Sequence, residues 1–254
     1  MNPRLEAALA IAKEAGQLTL EYFNKPGLQV EMKQDSSPVT LADTGSEALI
    51  RTRIGEQFPG DGMVGEEFGE QLGTSDYVWT IDPIDGTKSF IHGVPLYGVL
   101  IAVEDVAGPL IGVVHLPALG ETVYAIRDGG AFWERADGDV VPAKVRTTTE
   151  LTRMSLILTS GFEWATPTMR EAFIRGDTMV RTWGDAYAWL LLATGRADAM
   201  IDHGIMEYDI APLRVIIPEA GGAMTVWTPE GRDDLAAVVS TKGLHDTMLS
   251  RFKA

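Results

Sequence analysis

The sequence predicts a layered α+β fold of 254 residues in one unit, with lobes at about residues 1–145 and 146–254. Amphipathic helix patterns open the chain, and strand-like apolar runs follow one another through its middle. Helix and strand patterns then alternate in the last third. Because the middle strands have no helices between them, antiparallel pairing is expected there.

Two helices are predicted in the first 60 residues. The first begins after Asn2, a residue that can cap it, and carries apolar residues at three- and four-residue steps. The second spans residues 40–58, where Thr40 and Asp43 have the spacing of a capping box. The polar segment 33–38 between them predicts a loop or a hairpin tip.

The middle of the chain contains runs of β-branched and aromatic residues bounded by Gly, Pro or Asp. This composition is typical of strands. The predicted strands are residues 77–81, 96–103, 110–116, 122–126 and 155–158.

In the last third, a helix is predicted to begin near Asp185 and a short strand to cover 198–201. Asp209 is interpreted as the cap of a further helix that ends before residue 221, followed by strands at 224–227 and 236–240. Pro218 lies inside that helix, where it is expected to cause a kink at a cost of ~3 kcal/mol.

The composition excludes some partners. A net charge of −15 and a pI near 4.6 argue against general nucleic-acid or anionic-membrane binding. No run is long enough to span a membrane, cysteine is absent, and charged residues interrupt any signal-like segment, so a cytoplasmic location is expected. An anionic phosphate substrate would require a local positive charge, which a bound metal ion supplies.

The most informative segment is residues 82–87, with the sequence Asp-Pro-Ile-Asp-Gly-Thr. Asp82 and Asp85 follow an apolar strand, and Pro83 fixes the backbone between them. The turn also allows the Ile84 carbonyl to join the two carboxylates. Mg²⁺ prefers such oxygen ligands, at about 2.0–2.1 Å in near-octahedral geometry.

Residues 86–90 predict the start of a short helix, whose free N–H groups suit a phosphate. Every residue of the Asp82–Gly86 stretch also favours turns, so an ordinary surface turn is the alternative. A dehalogenase-type motif is disfavoured because two residues, rather than one, separate the aspartates. Glu66 and Glu67, Asp43 and Asp209 each have an ordinary explanation too, as a solvated pair, a dipole partner and a helix cap.

Together these segments resemble the inositol monophosphatase family. The matching segments are 39–43, Gly-Glu-Glu at 65–67, 79–87, and 208–211 leading to 219–222. They occur in the family order and with similar spacing across nearly the whole chain. Four separate motifs in order are far more specific than any one of them.

The resemblance implies an αβαβα sandwich, usually a homodimer, that hydrolyses small phosphate monoesters with two or three Mg²⁺ ions and is inhibited by Li⁺. It implies that Thr87, paired with Asp43, orients or deprotonates the attacking water, and that the Gly86 and Thr87 N–H groups bind the phosphoryl group. It makes Glu67 a neighbour of the metals and gives Glu66 a role in the third metal site. The metal ligands that it implies are Glu66, Asp82, Ile84, Asp85 and Asp209.

Three details resemble the histidinol-phosphate phosphatase branch of this family: Lys88 after the motif threonine, Asp185 near a helix start, and Tyr208 before Asp209. Histidinol carries an ammonium group and an imidazole, so carboxylates are expected in its binding site. Asp185 and Asp202 are candidates for that contact, and Asp185 has a helix cap as its alternative. Lys88 is a candidate phosphate contact or a residue of the site's rim.

Two alternative functions stay open at the level of sequence. One is an inositol or broad-specificity sugar phosphatase, and the other is a catalytically silent, metal-stabilised interaction protein. The four histidines show no metal-ligand spacing and are interpreted as structural or surface residues, and Trp183, Trp189 and Trp227 as core or dimer contacts.

Overall fold

The computed structural model describes residues 2–33, 37–162, 164–174 and 176–252. The helices are α1 (Pro3–Tyr22), α2 (Leu41–Gln57), α3 (Thr87–Ile91), α4 (Pro167–Ile174), α5 (Asp185–Ala193), α6 (Glu207–Ile210), α7 (Leu213–Glu219) and α8 (His245–Phe252). The strands are β1 (Val30–Met32), β2 (Pro38–Thr40), β3 (Gly62–Gly65), β4 (Gly69–Gln71), β5 (Val78–Asp85), β6 (Gly98–Asp105), β7 (Gly108–Leu116), β8 (Glu121–Ile126), β9 (Gly130–Glu134), β10 (Val140–Pro142), β11 (Leu156–Leu158), β12 (Met179–Arg181), β13 (Ala199–Ile205), β14 (Gly222–Trp227) and β15 (Leu235–Thr241).

The larger sheet has eight strands in the order β10-β9-β8-β7-β6-β5-β3-β4. Alternate residues of β6 face two different helix layers, as the two-residue period of a strand requires. Val99 and Ile101 pack with α1, whereas Leu100 packs with α5 and α7 on the other face. The sheet is therefore covered on both sides.

The smaller sheet has five strands in the order β12-β11-β13-β15-β14. Met200 of β13 faces α5 and α7, and its neighbours Ala199 and Ile201 pack with α4 and α8. Helices α5 and α7 thus form a layer between the two sheets. The resulting five-layer αβαβα arrangement confirms the predicted fold, while the division into lobes near residue 145 stays a prediction.

Both N-terminal helices begin where the sequence predicts, and nearby side chains cap each of them. The Asn2 side chain accepts the Arg4 N–H at 2.9 Å, and Thr40 and Asp43 form a reciprocal capping box on α2. Strands β1 and β2 pair as an antiparallel hairpin, and residues 34–36 of the predicted tip lie outside the described residues. Within the described ranges, no helix combines the length and hydropathy needed to cross a membrane.

The predicted single helix from Asp209 to residue 221 is wrong. The structure has two helices there, α6 and α7, with Ala211 and Pro212 between them. Asp209 is the third residue of α6, and Met206 takes the N-cap position. Pro218 is exposed and is the penultimate residue of α7. Because the helix ends one residue later, the missing proline N–H costs at most one hydrogen bond.

The strand predicted at 77–81 is too short, because β5 continues through Asp85. Several elements were not predicted at all: the helices α4 and α8 and the short strands β3, β4, β9, β10 and β12. All five of these strands are only three to five residues long. Runs of that length carry little periodicity.

Candidate active site

Three carboxylates converge at the end of β5. Asp82 and Asp85 come from β5 and Asp209 comes from α6, and each offers an oxygen within 4.8 Å of the other two. We refer to these three residues as the carboxylate cluster. Asp82 and Asp85 are buried, with exposed fractions of 1% and 8%.

A bulge in β5 explains why the two aspartates reach the same place. Residues three apart in a regular strand face opposite sides of the sheet. Here Asp82 pairs with Leu100 and Asp85 with Gly98, so β5 contains one extra residue and the alternation shifts. Pro83, which has no N–H to donate, lies in the bulge, and the Ile84 N–H donates to Asp82 Oδ1 at 3.0 Å.

Helix α6 fixes the third carboxylate. Asp209 Oδ2 accepts the Met206 N–H at 2.6 Å, which satisfies a donor at the start of this short helix. Asp209 also offers a carboxylate oxygen to the cluster. Asp209 therefore accepts a backbone N–H at the helix start, as a capping residue does. It does so from the third position of α6 and not from the N-cap.

The cluster is electrostatically unfavourable without a cation. Burial, followed by repulsion from neighbouring carboxylates, raises the pKa values of Asp82 and Asp85 well above the usual range. Burial also raises the pKa of Asp209 to about 7. In the described part of the chain, Asp85 Oδ2 is buried without a hydrogen-bond partner. Converging hard oxygens with an unsatisfied one among them fit a divalent cation such as Mg²⁺.

Glu66 lies beside this cluster but outside its group of oxygens. Its carboxylate pairs with Lys33 Nζ at 2.7 Å, and the same ammonium also contacts Glu67 at 2.7 Å. Glu66 is still close enough for its charge to raise the pKa of Asp82. Sequence reasoning missed Lys33, because its partners lie more than 30 residues away.

Thr87 lies within reach of Asp43, its predicted partner, and of Ile84. Its hydroxyl is 3.0 Å from the Ile84 carbonyl oxygen and 3.4 Å from Asp43 Oδ1. The other Asp43 oxygen accepts the N–H and the hydroxyl of Thr40. Burial raises the pKa of Asp43 to about 6. One aspartate thus joins the cap of α2 to the first residue of α3.

The N–H groups predicted to bind the phosphate begin at Gly86, the N-cap of α3. Gly86 has φ of +91°, a left-handed conformation that favours glycine. A Cβ here would also lie 3.2 Å from the Leu96 carbonyl and 3.3 Å from Asp185 Oδ2. Lys88, the second residue of α3, is exposed and lines the adjoining cavity.

That cavity has a volume of about 560 Å³ and opens directly beside the cluster. Asp185 and Asp202 line it together with Asp85 and Asp209. Burial raises the pKa of Asp202 to about 8, with repulsion from Asp185 adding to the effect. The cavity therefore presents a second acidic region next to the metal candidates.

The structure contradicts the helix-cap alternative for Asp185. Gly184 is the N-cap of α5, and Asp185 is its first residue, with φ of +57°. This left-handed value is unusual for a residue with a side chain, and such strain concentrates at functional sites. Gly184 in turn packs against Ser160, whose hydroxyl donates to Asp202.

Sequence reasoning also missed Glu47, a completely buried residue of α2. Its carboxylate accepts the N–H groups of Glu67 at 2.7 Å and Phe68 at 3.2 Å, and pairs with Arg51 at 2.7 Å. A Cβ on Gly65 would collide with this carboxylate. Glu47 therefore holds the turn that carries Glu66. The available signal was its position one helical turn after Asp43, on the same face of α2.

Replacing Glu47 by Gln is expected to lower the free energy of unfolding by about 3 kcal/mol, since Arg51 would lose its buried partner. Weaker support of the Glu66 turn is expected to reduce Mg²⁺ affinity by roughly 10- to 100-fold. Denaturant unfolding and Mg²⁺ titration measure the two effects. Glu56→Gln, an exposed change on the same helix, is the control. Equal Mg²⁺ affinity in the Glu47 variant and this control would contradict the positioning role.

The raised carboxyl pKa values predict an unusual pH dependence for the metal-free protein. Asp202 and Asp209, with pKa values of about 8 and 7, keep their protons in the folded chain when the unfolded chain has lost them. The folded state therefore binds more protons, and its stability falls as pH rises, by up to about 1.4 kcal/mol per pH unit for each group.

His115, His203 and His245, whose pKa values are lowered by desolvation, act in the opposite direction, but only below about pH 6.5. Thermal unfolding in a chelator should therefore show decreasing stability from about pH 6.5 to about pH 9. Saturating Mg²⁺ should weaken this trend. Stability that increases with pH in chelator would contradict the predicted charge repulsion.

Comparison with known proteins places this geometry in context. The model of the inositol monophosphatase family matches residues 1–252. The histidinol-phosphatase of Chlorobaculum parvum is 43% identical over 87% of this chain and 85% of its own length. The histidinol-phosphatase of Mycobacterium tuberculosis is 38% identical over 98% of both chains. The solved structure of an inositol monophosphatase from Anabaena superposes with a TM-score of 0.79 at 28% identity, covering 97% of this chain and 94% of the other.

Proposed function

Since this chain belongs to the inositol monophosphatase family, we propose that it is a phosphatase whose substrate is L-histidinol phosphate. The family and the relatives establish hydrolysis of a phosphate monoester. The observation that carries the choice of substrate is the pair Asp185 and Asp202, which lines the cavity beside the cluster. The two named relatives support the same choice.

The carboxylate cluster fits Mg²⁺, and the proposal includes two or three ions. Asp82, Asp85 and Asp209 would hold the ions together with the Ile84 carbonyl, and Glu66 would join after exchanging Lys33 for a metal. When bound, Mg²⁺ neutralises the phosphoryl oxygens and makes water acidic enough to attack phosphorus. The same proposal includes inhibition by Li⁺, a homodimer and a cytoplasmic location.

Residues around Gly86 would orient the attacking water and bind the phosphoryl group. Thr87 Oγ1, between Ile84 O and Asp43 Oδ1, would orient the attacking water and accept or relay its proton. The N–H groups of Gly86 and Thr87 would donate to the phosphoryl oxygens at the start of α3. Lys88, exposed on the cavity wall, would add a positive charge near the phosphate.

The leaving group would be selected by charge. An amino alcohol brings an ammonium group into a cavity whose walls include Asp185 and Asp202. Burial raises the pKa of both carboxyls, so each is costly to ionise without a cation. The substrate ammonium would remove that cost. An inositol ring carries only hydroxyls and offers no such compensation.

The experiment compares kcat/KM for L-histidinol phosphate and inositol 1-phosphate under identical Mg²⁺ conditions. The proposal predicts a preference of at least about 10²-fold for histidinol phosphate, as expected when buried charges would otherwise stay unpaired. A preference for inositol phosphate would replace this function with an inositol or sugar phosphatase. If Mg²⁺ supports no phosphate release from any small monoester, the alternative of a catalytically silent interaction protein would be favoured instead.

Asp185→Asn is expected to lower kcat/KM on L-histidinol phosphate by about 10- to 100-fold, since a charge-assisted contact is lost. The loss on inositol 1-phosphate should be much smaller. Steady-state kinetics on both substrates measure the difference, with the exposed Asp76→Asn as control. An equal loss on both substrates would remove Asp185 from a role in specificity.

A further inference from the structure

The cavity beside the carboxylate cluster continues beyond the acidic pair to an aromatic end. Trp164, His203 and Arg232 line this cavity and also line a second cleft of about 420 Å³. None of the cluster residues, nor Asp185 or Asp202, is among the residues of the second cleft. The three shared residues therefore mark the end of the cavity that lies away from the cluster.

Two rings form the wall at this end. The rings of Trp164 and His203 stack with centroids 4.1 Å apart and an interplanar angle of 9°. Trp227 meets His203 edge-on, at 5.6 Å and 88°. Burial lowers the pKa of His203, and the Arg232 guanidinium lowers it further against an opposing effect of Asp234, which favours the neutral ring. The two stacked rings therefore present an uncharged aromatic surface, with the Arg232 guanidinium at the same end of the cavity.

Both rings carry a nitrogen that lacks a partner. Across residues 2–33, 37–162, 164–174 and 176–252, Trp164 Nε1 and His203 Nε2 are buried with no hydrogen bond. A buried polar atom left unpaired is destabilising and calls for an explanation, such as a ligand that completes the bond. Two such atoms on stacked neighbouring rings point to a polar, planar ligand.

We propose that the Trp164–His203 pair is the subsite for a planar nitrogen heterocycle carried by the leaving group. This inference rests on the proposed function and adds the ring to it. The phosphate would lie at the cluster, the ammonium at Asp185 and Asp202, and the imidazole against the aromatic pair. Aromatic rings stack and bury their faces, while ring nitrogens exchange hydrogen bonds with polar atoms at their edges.

The proposed placement follows the order of groups in L-histidinol phosphate, in which the ammonium lies between the phosphate and the imidazole. From the sequence, His203 is interpreted as a structural or surface residue and Trp227 as a core or dimer contact, and Trp164 has no predicted role. The stacking partners lie 39 residues apart, so no local pattern reveals the pair.

The test compares two substrates that differ only in the ring. L-alaninol phosphate keeps the phosphate and the ammonium of L-histidinol phosphate but has a methyl group instead of the imidazolylmethyl group. The ratio of their kcat/KM values reports ring recognition alone. We expect a wild-type ratio of about 10²-fold in favour of the ring, falling about tenfold or more in His203→Leu and in Trp164→Leu, mainly through KM. Trp183→Leu, which removes an exposed ring outside both clefts, should keep the wild-type ratio.

A second readout does not depend on turnover. L-histidinol and L-alaninol, the dephosphorylated products, are titrated into wild type and both variants by calorimetry, and the ratio of their Kd values should fall in parallel. An unchanged ratio in both variants, or a wild-type ratio near one, would overturn the subsite while leaving histidinol phosphate hydrolysis intact. No turnover of L-histidinol phosphate by the wild type would overturn the proposed function and this subsite together.

Discussion

Asp85→Asn should lose about 10³-fold or more of the Mg²⁺-dependent phosphate release, because a buried charge that faces the metal would be replaced by a neutral amide. The fold should survive. Asp85 is surrounded by carboxylates that raise its pKa, and its Oδ2 has no partner within the described residues. Removal of the charge therefore relieves repulsion in the metal-free protein.

Initial rates and thermal unfolding in chelator together test this prediction. Asp105→Asn is the matched control, since Asp105 ends β6 as Asp85 ends β5 but pairs with Arg127 away from the cavity. Its activity should stay close to wild type. Undiminished turnover in the Asp85 variant would remove this residue from the metal site.

The second large effect is expected for Thr87→Val. This change keeps the side-chain shape but removes the hydroxyl that contacts Ile84 O and Asp43. Loss of a group that positions or deprotonates water costs about 10²- to 10⁴-fold in kcat. The lost hydrogen bond should cost only about 1 kcal/mol of stability.

Thr87→Ser separates chemistry from packing, because it retains the hydroxyl and removes a methyl group. We expect this variant to keep most of the activity, with KM for phosphate ester close to wild type. If the serine and valine variants lose kcat equally, the hydroxyl has no role in the reaction. The contact with Asp43 would then serve only to join α2 and α3.

Local signals explain why much of the fold could be predicted. Asn2 and Thr40 mark helix starts through bonds to residues two or three positions away. The middle strands carry long apolar runs that pair with their sequence neighbours. The five-layer order, by contrast, came from the family resemblance, since no periodicity states which face meets which helix.

The candidate site, like the fold, could be predicted only in part from the sequence. Asp82 and Asp85 stand in one short segment, so their proximity could be proposed from the sequence. The bulge that turns both carboxylates to one side depends on pairing with β6 and could not. The roles of Glu47 and Lys33 could not be predicted for a similar reason, because their partners in the Glu66 turn are distant in sequence.

The split between α6 and α7 shows a further limit. Pro212 follows α6 closely, and a proline is compatible with the first turn of a helix as well as with a break between helices. The sequence pattern alone therefore did not separate one long helix from two short ones. In the folded chain the break positions Asp209 opposite β5.

The most direct test of the account is a Mg²⁺ titration of phosphate release from L-histidinol phosphate by chelator-stripped wild-type protein. We expect no release in chelator and a saturable rise as Mg²⁺ is added, because the carboxylate cluster cannot act without its cation. Release that is equally fast in chelator and in Mg²⁺ would contradict it.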